Sequence, residues 1–232
     1  MNNDYLELKK WLEETRNVPL EDMAAFFSAR CHMYEPHMSL WKKHYEWLSE
    51  LLPENCETLL DLGCGTGLEL DPIFRRFPSL KVTGVDFSEK MLDLLRKKHG
   101  DRNLRLVLED YFLYEPESES FDAAVTFQTL HHFSAEKKRK VFKKIYSALK
   151  EGGTYLECDY IAVCDEIEKL TAAECSRRRK RDNIPPERFV HFDTPLTLEH
   201  ELEAIRSAGF KCAQCLGFLE GDNHTAMIMA KK

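Results

Sequence analysis

Three aspartates, each closing an apolar run, are the residues best spaced for chemistry: Asp61 in LLDLGCGTGLEL, Asp86 in VTGVDFS and Asp110 in LEDYF. Asp61 is followed almost at once by Gly63, Gly65 and Gly67, with only Cys64 and Thr66 between them. Glycines after a central parallel strand let a ligand approach the backbone, because no Cβ stands in the way. Ligands on open parallel sheets sit beyond the carboxyl ends of the strands. The spacing is GxGxG; the position for the third glycine of a dinucleotide GxGxxG holds Leu68 or Leu70, depending on where the count starts. A carboxylate at the strand end suits a cationic group such as an ammonium and would repel a pyrophosphate. The ligand expected here is nucleoside-containing but not phosphate-rich. Asp86 lies at about the ~20-residue offset where an acidic residue takes ribose hydroxyls, and its two oxygens match a free diol. Asp110 is placed to accept from an adenine amino group, with Tyr111 beside it.

The elements that must position these groups follow from periodicity. Residues 1–57 read as helices; in SLWKKHYEWLSELL, Trp41, Tyr45, Leu48 and Leu52 recur at helical spacing, with Ser39 as the expected N-cap and Pro53 as the stop. From Thr58 onward, short apolar runs alternate with amphipathic stretches: strands at TLLDLG, LKVTGVDFS, LRLVLEDY, FDAAVTFQTL and TYLECDYIAV, with helices between, one of them capped by Ser134. Such alternation predicts a parallel sheet covered on both faces. Residues 164–195 are polar and charged and read as an inserted helical excursion. Its RRRKR run (177–181) is expected to be a solvated face. A last helix closed by Gly209 precedes KCAQCLGFLE and HTAMIMAKK, which read as an antiparallel hairpin about GDN.

LLDLGCGTG, VTGVDFSEKML, LEDY and FDAAVTFQTLHHF together closely resemble the successive motifs of class I S-adenosylmethionine-dependent methyltransferases, strongly over residues 58–160 and more weakly beyond. The resemblance implies a Rossmann-like three-layer α/β sandwich. Its seven-stranded, mostly parallel sheet would have the order 3-2-1-4-5-7-6, the last strand antiparallel, behind an N-terminal helical lid (1–57). It implies S-adenosylmethionine as cofactor, with Asp61 and the turn of Gly63, Cys64, Gly65 and Gly67 around its methionine part. Asp86 would lie at the ribose, Phe87 and Met91 on the adenine side, Asp110 and Tyr111 at the base, and Phe127 and Gln128 beneath the substrate. Cys64 itself needs only to be small. His131 and His132 would stand near the transferred methyl, either as a proton acceptor or as packing against the cofactor. Tyr34, in FFSARCHMYEPHM, would cover the cofactor, with His32 and His37 toward the acceptor. His191 and Asp193 would return to the site mouth, and no metal is expected.

The activity so implied is methyl transfer to a small-molecule acceptor. Amino methyltransferases of adenine and cytosine carry an Asn/Asp-Pro-Pro-aromatic run after strand four, where this chain has TFQT. Cys158 lacks the context of an RNA cytosine-C5 nucleophile. A non-catalytic S-adenosylmethionine-binding protein, or a relative that alters the cofactor as carboxy-S-adenosylmethionine synthases do, remains the alternative; a nicotinamide-dependent oxidoreductase is disfavoured by the glycine spacing. A net charge of −7 argues against a broad nucleic-acid face, and no apolar run approaches membrane-spanning length. The first ten residues lack an export pattern, and eight cysteines then read as reduced thiols, so a cytoplasmic protein is expected. Cys212 and Cys215 fall three apart on a strand and face opposite ways, which disfavours a shared metal. The sequence leaves room for a homodimer.

Overall fold

In the computed structural model, residues 3–219 and 221–232 are described; Met1, Asn2 and Glu220 lie outside them, so the first ten residues and the final hairpin are described only in part. The chain opens with α1 (Asn3–Glu14), β1 (Glu21–Asp22) and α2 (Met23–Met38), then a 3-10 turn at Ser39–Trp41 and α3 (Lys42–Leu51). Ser39 does not cap α3. It closes α2, its hydroxyl donating to the Pro36 carbonyl at 2.7 Å, because the 3-10 turn carries the chain directly from one helix to the next.

The alternating half follows as β2 (Thr58–Leu62), α4 (Leu70–Arg76), β3 (Lys81–Asp86), α5 (Glu89–His99), β4 (Leu104–Leu108), β5 (Phe121–Phe127), α6 (Ala135–Ala148) and β6 (Leu149–Tyr160). Then come α7 (Asp165–Arg181), β7 (Val190–His191), α8 (Leu198–Ser207), β8 (Cys212–Gly217) and β9 (Thr225–Lys231). Seven strands form one sheet in the order β4-β3-β2-β5-β6-β9-β8, which is the 3-2-1-4-5-7-6 arrangement, and β9 alone runs against its neighbours. Neighbouring residues on β2 face opposite layers, as the two-residue strand period requires. Leu59 packs with α3, α4 and α5 through Leu48, Phe74 and Leu95, while Leu60 packs with α6 and α8 through Phe142 and Ile205.

A second, two-stranded sheet pairs β1 with β7 and ties the N-terminal segment to the excursion after α7. The RRRKR run is not a solvated face. Arg178 is buried; it donates to Glu174 at 2.7 Å and to Thr15 Oγ1 at 2.9 Å, and its guanidinium lies over Phe192. Arg177 and Arg181 both donate to the Arg16 carbonyl. The charges are turned inward because the end of α1 presents carbonyl oxygens that its helix leaves unpaired.

Candidate functional site

The turn after β2 owes its shape to glycine. Gly63 and Gly65 have φ of +77° and +47°, and a Cβ on Gly63 would stand 2.4 Å from Thr129 Oγ1. Asp86, at the end of β3, accepts from Gly65 N at 3.0 Å and from Ser88 N at 2.8 Å, which locks the turn to the neighbouring strand. Burial pushes the Asp86 carboxyl up to about 6 against those two hydrogen bonds. Beneath the turn, Asp61 shares a hydrogen bond with Glu69, a residue the motif reading did not single out. Burial raises Glu69 to about 7; burial and then the Glu69 charge raise Asp61 well above the usual carboxylate range. Asp61 Oδ2 and Glu69 Oε1 each lack a partner. Two buried carboxyls with free oxygens form a receptor for a cation with several N–H donors.

The structure gathers Gly63, Gly65, Asp86, Phe87, Met91, Phe127 and Gln128 around one narrow cleft, with Tyr34 and His132 on its far side. Gln128 holds a left-handed φ of 49° while its N–H donates to the Cys158 carbonyl, a strained conformation of the kind found at ligand sites. Other expected residues turn elsewhere. Gly67 makes room for Leu95, Cys64 packs against Gly84 inside the sheet, and the Tyr111 hydroxyl reaches Thr129 in the core. Asp110 lies at the end of β4, half-buried, capping the Phe112 N–H at 2.8 Å.

Across the cleft, the Tyr34 hydroxyl lies 3.5 Å from where a Cβ on Gly65 would stand, and burial holds the phenol far above its usual range. Tyr34 thus stands over the glycine turn, where a lid residue would lie. Beyond it opens a second cavity of about 810 Å³, walled by α2 and lined by Phe26, Met33, His37, Trp41, Tyr160 and His191. His131, His132 and Asp193 face into it. Asp159, at the end of β6, holds His131 in place: Oδ1 lies 2.5 Å from Nδ1, and Oδ2 accepts from the Leu130 and His131 N–H groups. Burial disfavours a charged His131, but Asp159 outweighs it and raises the imidazole. Burial and the neighbouring His131 lower His132; burial and His132 lower His191 to about 4. The sequence signal for Asp159 was present, since it is a fourth aspartate at a strand end. His32 is not among the residues lining either cavity.

The first cleft fits an adenosyl sulfonium amino acid in its diol acceptor, Asp86, and its turn bare of side chains; the orphaned oxygens of Asp61 and Glu69, an ammonium receptor, lie beneath that turn and do not line the cleft. With Tyr34 over Gly65 the cleft itself holds only about 40 Å³, and it adjoins the larger cavity at Tyr34, Gln128 and His132.

This fold and this cleft are those of a methyltransferase domain, and residues 59–153 match the sequence model of a family described as "Methyltransferase domain". The matched stretch and the fold are those found in S-adenosylmethionine-dependent methyltransferases. It is 24% identical over 172 residues to a carboxy-S-adenosyl-L-methionine synthase of Campylobacter lari, covering 71% of this chain and 73% of that one. It is 34% identical over 99 residues to malonyl-[acyl-carrier protein] O-methyltransferase 1 of Ilyobacter polytropus, but that match covers 41% of this chain and only 35% of the relative. An O-methyltransferase family protein of Burkholderia thailandensis shares the fold, with a TM-score of 0.69 at 18% identity over 99% of this chain and 70% of that one. No helix among the described residues is long and apolar enough to cross a membrane.

Proposed function

We propose that the protein transfers the methyl group of S-adenosylmethionine to a small-molecule acceptor held between α2 and the His131–Asp193 cluster. The observation that carries this reading is the second cavity of about 810 Å³, which is of the size that encloses small ligands and borders the cofactor cleft at Tyr34, Gln128 and His132. In this reading Asp86 takes the ribose diol, Asp61 and Glu69 the ammonium, Phe87 and Met91 the adenine face, and Asp110 the adenine amino group. When bound, the cofactor supplies a methyl on a sulfonium, already a good electrophile. The chain's part is to align the acceptor and exclude water, positioning that can lower a barrier by as much as ~7–11 kcal/mol. Phe27 and Tyr34 cover the cleft. His131 Nε2, oriented by Asp159 on the other nitrogen, is placed to take a proton from the acceptor, with His132 beside it.

The likeness to a carboxy-S-adenosyl-L-methionine synthase favours a second reading, in which the cofactor itself is modified. A chamber of this size beyond the cleft supports the first reading over it. Incubation with methyl-labelled S-adenosylmethionine and panels of small hydroxyl, amino and thiol acceptors, read by mass spectrometry, tests the choice. Label in an acceptor, with S-adenosylhomocysteine formed, is the expected result. A carboxylated nucleoside, bound or released, would contradict it.

A further inference from the structure

We infer that His131, His132 and Asp193 bind one divalent transition-metal ion at the floor of the large cavity. Asp193 Oδ1 lies 3.1 Å from His132 Nδ1 and 3.5 Å from His131 Nε2, and one donor atom from each of the three residues falls within 4.8 Å of the others. Donors about 2.0–2.2 Å from a common ion stand about 3.0–3.5 Å apart, for angles between octahedral and tetrahedral. His132 Nδ1 is buried and points at Asp193 Oδ1 without a well-aligned hydrogen bond, so its lone pair is open to an ion between them. His131 also carries the support typical of a metal-bound imidazole: its other ring nitrogen is held by the buried carboxylate of Asp159, which is itself fixed by backbone N–H groups of Leu130, His131 and Tyr160.

Two imidazoles and one carboxylate suit zinc, cobalt, nickel, iron or manganese better than calcium or magnesium. Three protein ligands leave coordination positions facing the cavity, where an acceptor oxygen fits. The ion's charge would stabilise that oxygen as an anion, and the proton it sheds would leave to water in the open chamber. The imidazoles then serve as ligands in place of proton acceptors. This deepens the proposed function and rests on the chamber being the acceptor site, though ion binding can be measured with no acceptor present. The adjacent histidines carry no metal-ligand spacing, and Asp193 comes from beyond α7, so the sequence alone led to the opposite expectation.

Metal-stripped protein titrated with Zn²⁺ in a calorimeter, and with Co²⁺ followed by visible absorption, tests the inference. One ion per chain is expected, with cobalt bands that arise on addition. Asp159→Asn should weaken binding by about 10–100-fold. His132→Gln and Asp193→Asn should weaken it further and abolish the cobalt bands. Unchanged S-adenosylhomocysteine binding by Asp159→Asn and Asp193→Asn, neither of which lines the cofactor cleft, shows that the fold is retained. Absence of saturable binding by the parent protein, or equal affinity in Asp193→Asn, would overturn the ion site. Methyl transfer retained in that event would leave His131 as the proton acceptor.

Discussion

The site has two sides, the cofactor cleft and the chamber beyond it, built in different ways. One side, the ends of β2 and β3, comes from a single stretch in which strand, turn and carboxylate follow one another, so Gly63, Gly65 and Asp86 need only the parallel pairing of two strands to meet. The other side is assembled from Tyr34 on α2, His131 after β5, Asp159 on β6 and Asp193 after α7. It exists only once α1 is clamped to α7 and β1 to β7. A site written locally is robust and generic. A site assembled from afar can be rebuilt for a new acceptor without disturbing the first.

That contrast is sharpest in catalysis. His131→Ala should lower turnover by about 10²–10⁴-fold, the usual contribution of positioned acid–base help, whether the imidazole takes the proton or holds the ion that makes the acceptor shed it, while S-adenosylhomocysteine affinity stays near that of the parent. Equal losses in turnover and cofactor affinity would mean that the histidine packs against the cofactor and that the two sides are not separable.

Next in size is the clamp. Arg178→Ala leaves the half-buried Glu174 carboxylate with Arg177 alone and removes the cation over Phe192, next to Asp193. Losing such a charged hydrogen bond costs about 1.5–3 kcal/mol, observable by chemical denaturation. Hydrogen exchange should rise in α1 and around residues 190–193 but not along β2 and β3. Uniform loosening would contradict the independence of the two sides.

The smallest effect lies under the glycine turn. Glu69 and Asp86 are raised to about 7 and about 6, so their contribution to stability is complete below about pH 4 and is lost as pH climbs toward 7. Glu69→Gln should therefore stabilise the ligand-free protein at pH 8 by about 1–3 kcal/mol, with no difference at pH 4. Parallel stability curves for the two proteins would show that Glu69 is not held above its ordinary range.

Much of the sheet and the glycine turn was legible because their rules are short-range: apolar runs of strand length, a helix between each pair, glycine where φ is positive. Asp61, Asp86 and Asp110 could be placed at strand ends from the sequence. What the sequence did not report is their local partners: Asp86 accepts from the Gly65 N–H of the turn, Asp61 pairs with Glu69, and Asp110 spends one oxygen on a backbone cap. Ser39 misled because the chain passes from α2 to α3 without leaving helical space, so no free N-terminus needs a cap. The RRRKR run misled because its partners are carbonyls of residues 12–18, more than 150 positions earlier, and no local pattern reports them. The sequence brought His131, His132 and Asp193 to the site but not their approach to one another, for the same reason.

The account stands on the cleft at Gly63, Gly65 and Asp86 being a site for S-adenosylmethionine and its product. Titration of S-adenosylhomocysteine into the parent protein and into Asp86→Ala, followed by calorimetry, tests that directly. Saturable heat at one site per chain is expected for the parent, weakened in the variant by about 1–3 kcal/mol through hydrogen bonds lost to the charged carboxylate. No heat with the parent, or equal affinity in the two proteins, would contradict it.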